Sequence, residues 1–328
     1  MKRRSLLSTL GAAALQPQVA GAQTSSTPFK VGLLIGAGSD ARTYAFEAFR
    51  LGLRTQGFVE GQNLVIERRV DIEGTDESLS RAAHELAALS PAVVVAANTP
   101  PVIAMRQAAP ATPIVMVAVG DPIAMGLIAS LRHPSRTITG ITGQDAELTG
   151  KRLALLKEVV RSVTRIGLLA SPDNPVFDTQ LANAEAVAKA HGIELLREDV
   201  HGQSDLDRAF ASIVDRGGRA VMRLGGFRSR EAIKSLASLA VEHRLPFCSD
   251  RLIEVQEGLL MSYGPGTAAM FQQAAGFVAR ILRGAQPGDL PVEPPAKYEL
   301  ALNMPTARAL GIVFPAGVIA RATAVVEA

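Results

Sequence analysis

Residues 33–41 read LLIGAGSDA, and Gly36, Gly38 and Ala41 fit the G-x-G-x-x-[GA] spacing directly after an apolar run. In a dinucleotide site such glycines allow a tight turn and let the backbone approach a pyrophosphate at a helix N-terminus. The pattern is short, and it serves equally well as the first loop of another kind of binding cleft. Three further segments share a second pattern: Asn98-Thr99-Pro100, Gly120-Asp121-Pro122 and Asp173-Asn174-Pro175. Each sets a capping residue ahead of a proline suited to a first helical turn. The free backbone N–H groups of such a turn hold a carboxylate or phosphate well. Asp121 and Asp173 can also pair with an ammonium, so the combination suits a zwitterion such as an amino acid. Without a ligand, the same residues simply cap helices.

Catalytic constellations are scarce. No G-x-S-x-G elbow, H-E-x-x-H or complete G-x-x-x-x-G-K-[ST] occurs. The histidines are His84, His133, His191, His201 and His243, and nothing pairs them with a nucleophile. Cys248 is the sole cysteine, which excludes an internal disulfide and a cysteine-cluster metal site. Neither an enzyme, nor a metal, nor a cofactor is expected.

The N-terminus explains the basic excess. MKRRSLLSTLGAAALQPQVAGAQ carries Lys2, Arg3 and Arg4, then an apolar run, then the small-x-small signal Ala20-Gly21-Ala22. This reads as a secretory signal peptide over residues 1–22. Arg3-Arg4 leaves a twin-arginine and a general secretory route both open. Without residues 1–22 the 34 basic residues fall to 31, equal to the 31 acidic ones, so no basic patch calls for nucleic acid. No later stretch is long and apolar enough to span a membrane. The mature chain is expected in the periplasm, as a monomer.

These candidate residues must be positioned by the elements around them. The chain is 48% hydrophobic but only 4% aromatic and has no tryptophan, so its core must be aliphatic, as in α/β proteins with buried parallel strands. Strands are expected at 29–35, 63–70, 92–98 and 113–119, with helices at 41–56, 77–89 and 100–108 and a short one after Pro122. The beat resumes with strands at 165–171, 193–200, 219–224 and 245–250, and helices ending at His191, Asp215 and His243. Such alternation implies βαβ units and parallel sheets. There are two sets of four strands, joined near TITGITG (137–143) and an amphipathic helix carrying Leu153, Leu156 and Val160. A strand at 258–264, a helix at 267–283, a proline-rich crossing and a strand at 298–303 follow. This tail can pass between the halves twice more and form a hinge of several strands. The candidate residues then lie at the carboxyl ends of strands, where open α/β sheets bind ligands.

In that order the chain resembles the ABC transporter substrate-binding family that includes tryptophan-type binding proteins. The matching segments are AFEAFRLGLRTQGFVEGQNLVIE, PIVMVAVGDPIAMGLIASLRHPSRTITGIT, LTGKRLALLKEVV, GLLMSYG and LPVEPPAKYELALNMPTARALGI. The resemblance implies an α/β type I periplasmic-binding fold with two Rossmann-like lobes and a multi-strand hinge. The first lobe would comprise 28–142 plus 257–285, the second 143–256 plus 286–328. It also implies capture of a small molecule between the lobes and delivery to an inner-membrane permease. Family ligand contacts map onto Gly38 and Ser39, Thr99, Asp121, and the loop Ser171–Asn174 with Asp173. Asn98, Gly120 and Asp250, at neighbouring strand ends, complete the candidate ligand set. RLGGF (223–227) departs from the polar residues that tryptophan-type members carry there, and CSDRLIEVQEG lacks the acidic pair expected near Leu252. Both departures imply a less polar ligand, or one held mainly by the first lobe.

Two rival readings use the same features. An exported NAD-dependent oxidoreductase would place Asp71 on a ribose, though Asp71 lies farther past the glycines than the usual spacing of about twenty residues. A ligand-sensing partner of a membrane receptor would share the lobed architecture.

Overall fold

The computed structural model describes residues 27–36, 44–71, 75–143, 145–172, 177–224 and 230–327. In chain order the first half runs β1 (Phe29–Ile35), α1 (Tyr44–Thr55), β2 (Leu64–Val70), α2 (Asp76–Ala88) and β3 (Val93–Ala97). It continues with α3 (Thr99–Ala108), β4 (Ile114–Val119) and β5 (Ile138–Thr142). These strands form one parallel sheet, ordered β2-β1-β3-β4-β5. Alternate residues of a strand face opposite sides, and here both sides are covered. Leu33 and Ile35 meet Phe49 and Leu53 of α1, while Leu34 and Val94 meet Leu86 of α2 and Met105 of α3. This is why the strands read as unbroken apolar runs.

The second half begins with α4 (Asp145–Val159), β6 (Arg165–Ala170), α5 (Phe177–Ala190), β7 (Glu194–Asp199) and α6 (Leu206–Asp215). Then come β8 (Ala220–Leu224), α7 (Arg230–Glu242), β9 (Phe247–Ser249), α8 (Leu252–Gln256), β10 (Met261–Pro265) and α9 (Thr267–Leu282). The chain closes with β11 (Tyr298–Asn303), α10 (Met304–Leu310), α11 (Ala316–Arg321) and β12 (Ala324–Val326). The second sheet has seven strands, ordered β12-β11-β10-β9-β8-β6-β7, and only the β10–β11 pair is antiparallel. Its two faces are again both buried. Leu168 and Met222 pack with Leu156 of α4 and Phe177 of α5, and Leu169 and Val221 with Phe210 of α6 and Leu236 of α7.

The two-sheet α/β architecture agrees with the expectation, but details differ. TITGITG does more than lead to the joint: residues 138–142 form β5, a fifth strand of the first sheet, and the passage to α4 follows directly. No helix follows Pro122; the chain turns there instead. Strand β10 hydrogen-bonds only to β9 and β11, so residues 261–265 belong with the second sheet rather than with the first lobe. The sequence pattern around GLLMSYG carries no information on which sheet recruits it.

The chain passes between the sheets three times: from β5 to α4, from β10 to α9, and from residue 293 to β11. After β10, α9 returns to the first sheet, where Phe271 and Phe277 enter the same core as Phe49. Residues 292–293 then run beside β5: Glu293 N–H donates to Gly140 O (3.0 Å), and Glu293 O accepts from Thr142 N–H (3.0 Å). Gln273 of α9 ties two of the crossings together. Its Nε2 donates to Glu293 Oε2 (2.8 Å) and Pro294 O (3.1 Å), and its Oε1 accepts from Ala296 N–H (3.1 Å). Among the described residues no helix is long and apolar enough to cross a membrane.

Candidate functional site

The carboxyl ends of the strands in both sheets meet at a cavity of about 120 Å³. From the first sheet come Ala97 and Asn98 after β3, Val117 and Ala118 of β4, and Gly143 after β5. The second sheet contributes Asp250 and Arg251 after β9. Pro265, Thr267, Met270 and Phe271, at the crossing from β10 into α9, close the remaining side.

Two lining residues hold unusual backbone. Asn98 has φ +71° and ψ 168°, and Ala118 has φ +58° at the bulge where β4 slips its register on β5. Side chains disfavour such conformations by about 1–3 kcal/mol, and the strain is most often kept at functional sites. Asn98 is also the N-cap of α3, yet its side chain makes no capping hydrogen bond. Its N–H donates to Val117 O (2.8 Å), which pins the residue while leaving the amide unused by the helix. Capping therefore does not account for Asn98.

The second-sheet wall is ionic. Arg223, near the end of β8, is 5% exposed at its side chain, and its Nη2 donates to Asp250 Oδ1 (2.8 Å) and to Glu254 Oε1 of α8. Arg251 adds Nε and Nη2 to the same Glu254 oxygen at 3.0 and 2.6 Å. Behind them Arg152 of α4, 3% exposed, donates from Nε to Tyr263 O (2.8 Å). Burial alone pushes the Asp250 carboxyl up, but the charges of Arg223, Arg152 and Arg251 and the Arg223 hydrogen bond hold it below the usual carboxylate range. Burial likewise works against the Arg223 cation, and Glu254 and Asp250 more than offset it. Among the described residues Arg223 Nε and Nη1, Arg152 Nη2 and Glu254 Oε2 are buried without a hydrogen-bond partner.

The sequence-derived residues fare unequally. Asn98 and Asp250 both line the cavity. Thr99 opens α3 immediately behind Asn98. Gly120 and Asp121 follow β4, where Asp121 Oδ1 accepts from the N–H groups of Ile123 (3.2 Å) and Ala124 (2.9 Å), so its carboxylate caps a turn. Ser171 sits after β6, its N–H donating to Leu224 O (3.1 Å). Gly38, Ser39, Asp173 and Asn174 lie outside the described residues, as do Ala41 and the signal segment. Gly36 is described, and a Cβ there would stand 3.3 Å from Pro101 Cγ, so the glycine serves the close approach of β1 to α3.

Sequence reasoning missed Arg223, Arg152 and Glu254, and it expected a less polar surface around 223–227. The structure corrects this: Arg223 is the centre of the ionic wall, and Asp250 and Glu254, two residues either side of Leu252, are its carboxylate partners. Arg223 occupies the next-to-last place in a wholly buried strand, where a core residue is the default reading.

Other chemistry finds no support in the geometry. Asp71, the acid required for a ribose, is buried and accepts Ser78 Oγ (2.7 Å) at the capping box that starts α2. Burial pushes the Cys248 thiol up to about 12, far from a reactive thiolate. Among the described residues no group of three or more His, Cys, Asp or Glu side chains could hold a metal ion.

Comparison with known proteins agrees with this arrangement. The family model for ABC transporter substrate binding protein matches residues 30–326. A tyrosine-binding protein of Clostridioides difficile (strain R20291) is 23% identical over 269 residues, spanning 81% of this chain and 76% of its own. The crystal structure of a conserved domain protein from Vibrio cholerae superposes with a TM-score of 0.81 at 26% identity, over 90% of this chain and 99% of that one. An ABC domain from Streptococcus pneumoniae in complex with L-Trp superposes with a TM-score of 0.82 at 21% identity, over 92% and 100%. With two Rossmann-like sheets, three crossings and a cavity at the strand ends, the fold is of the type I periplasmic-binding kind, and the chain belongs to the ABC transporter substrate-binding protein family.

Proposed function

We propose that the mature protein captures a small metabolite, an amino acid or a small carboxylate, between two lobes and delivers it to an inner-membrane ABC permease. The observation that carries this reading is the strand-end cavity with strained Asn98 and Ala118 on one wall and anchored Asp250 on the other. The relatives named for tyrosine and for L-Trp support an amino-acid-sized ligand. Each lobe is built around one sheet, and closure rotates them about the three crossings, as lobed binding proteins do. Gly38, Ser39, Thr99, Gly120, Asp121, Ser171, Asp173 and Asn174 complete the rim in this reading. Export through the signal segment places the protein in the periplasm as a monomer that binds and releases its ligand without chemistry.

The test is a thermal-shift screen of the chain from Gln23 onward, after partial unfolding and dialysis to strip bound ligand. The panel holds amino acids, aliphatic and aromatic carboxylates, nucleosides, sugars and NAD(H). A binder at one hundred times its Kd stabilises the native state by about 2.7 kcal/mol, an easily seen shift. A shift with one small-metabolite class is expected. A shift with NAD alone would return Gly36, Gly38 and Ala41 to phosphate binding and overturn the reading.

A further inference from the structure

The amino-terminal ends of strands in the second sheet, opposite the cavity, surround a wide depression of about 790 Å³. Arg165 opens β6 there, Arg219 precedes β8, and Arg244 lies in the turn between α7 and β9. Among the described residues Glu194, at the start of β7, is the one carboxylate of the lining, and it pairs with Arg165 at 2.8 Å. Asp215 and Glu242, at the ends of α6 and α7, do not line it. Arg219 and Arg244 are exposed, and among the described residues they make no ion pair or side-chain hydrogen bond. The chain after residue 22 is neutral overall, so two unpaired guanidiniums on one face are a local excess.

Arg244 is kept there against strain. Helices α5, α6, α7 and α10 all end around this depression with the same closure: one N–H bonds three residues back and the next bonds five back, at 192–193, 217–218, 244–245 and 311–312. The first residue of each pair is left-handed, with φ of +62°, +78°, +52° and +67° in turn. Three of these places hold glycine, which adopts the conformation freely, and the fourth holds Arg244. Capping does not explain it. A cation serves a helix end by donating to its last carbonyls. Arg165 Nη1 does so to Arg216 O (3.2 Å), whereas Arg219 and Arg244 do not.

The four helix ends also limit what the arginines can meet. They are the negative poles of their helices, so a compact anion seated among them is repelled. That field fades beyond the last turn, and an arginine stem is long enough to carry its guanidinium past it. The matching partner is therefore an anionic surface laid over the rim. Leu310 and Ile312 line the same depression, and Val313, next in the chain, is 88% exposed, more than any other large apolar side chain among the described residues. A protruding apolar side chain among cations suits a bilayer, which offers phosphates and, just below them, hydrocarbon. We propose that this end of the second lobe rests on anionic phospholipid, with Arg219 and Arg244 at the phosphates and Val313 below them. The contact does not depend on what the cavity binds. The cavity lies at the other end of the same sheet, so ligand exchange stays open while the protein is held at a membrane.

Vesicle flotation of the chain from Gln23 onward tests this; that chain holds every described residue and lacks the basic Lys2, Arg3 and Arg4. It is expected to float with vesicles of phosphatidylcholine and phosphatidylglycerol in equal parts, not with phosphatidylcholine alone, and to be released by high salt. Arg219→Ala and Arg244→Gly should each weaken the affinity about fivefold, and Val313→Ser should weaken it too. Arg244→Gly should melt no lower than the parent, which separates a lost lipid contact from unfolding. Arg54→Ala on α1, an equal loss of charge elsewhere, should float like the parent. Equal flotation with both vesicle types, variants that float unchanged, or an equal loss in Arg54→Ala overturns the proposal. Flotation with neither vesicle overturns it and leaves the patch to an acidic protein. Displacement by soluble glycerol 1-phosphate at matched phosphate concentration would mark a discrete phosphate site and overturns it as well.

Discussion

Replacing Gly264 by alanine should disturb the fold and the site together, because Gly264 of β10 lies against the backbone that carries Asp250. A Cβ there would sit 1.9 Å from the Asp250 carbonyl oxygen and 3.0 Å from its carbonyl carbon, whereas ordinary contact begins at 3.4 Å. The colliding atoms are backbone, so no rotamer change relieves them. The end of β9 must move by more than 1 Å, and only two residue pairs hold β9 to β10. Overpacking of this kind costs about 1–3 kcal/mol. Displacing Asp250 also strains its charged hydrogen bond to Arg223, worth about 1.5–3 kcal/mol. A combined loss of about 3 kcal/mol lowers Tm by roughly 6–12 °C for a protein approaching this size. Circular-dichroism melts of Gly264→Ala beside Gly276→Ala make the comparison. Gly276 lies within α9 with nothing within 4 Å of its Cβ position, so alanine there should be neutral or stabilise by up to about 1 kcal/mol. If Gly264→Ala melts within about 2 °C of the parent and binds the best compound of the screen unchanged, the packing argument around Asp250 is refuted.

Four other changes separate roles. Asn98→Gly should raise the stability of the ligand-free protein by about 1 kcal/mol by relieving the positive φ, yet weaken ligand binding; a loss of stability in a urea titration would remove the case that Asn98 is kept for its side chain. Asp121→Ala should cost about 1 kcal/mol through the lost turn cap, with a smaller effect on affinity than Asn98→Gly, measured by melts and titration on the same samples. Asp250 is held below its unfolded pKa of about 3.9, so its contribution is complete above that pH and drains away as pH falls toward the lower folded value. The Tm gap between the parent and Asp250→Asn should therefore be constant from about pH 5 to 7 and narrow below about pH 4; a gap independent of pH would contradict it. Glu299 has the opposite sign. Burial raises its carboxyl despite Lys297, so stability is lost as pH rises through the folded value, and Glu299→Gln should melt higher than the parent at pH 7 but level with it at pH 4.

The residues that were legible and those that were not differ for physical reasons. Strands such as β1, β3 and β4 announce themselves because burial on both faces demands an unbroken apolar run. Strand β5 is spelled ITGIT, and its threonines and glycine hide a fully buried edge strand. Strand β12 and helices α8, α10 and α11 are too short to show a period. Asn98 and Asp250 were found because strand ends locate clefts in α/β proteins. Asp121 shared the same capping signature, but that signature serves a turn as well as a helix. The Ala118 bulge and the Met270–Phe271 wall depend on register and on packing between distant segments, which no local pattern encodes. Arg223 was hidden by its own strand, since the second arginine of RAVMRL stands where a core residue is the default reading and nothing local marks it as the centre of a buried cluster.

The most direct test of capture between the sheets is hydrogen–deuterium exchange of the chain from Gln23 onward, with and without the compound that gives the largest thermal shift. Protection is expected in peptides spanning Ala97–Asn98, Val117–Ala118 and Asp250–Arg251, with the first two and the last responding at the same ligand concentration. Protection confined to one sheet, or centred on the exposed groove of α1 around Arg50, Leu51 and Val59, would contradict the account.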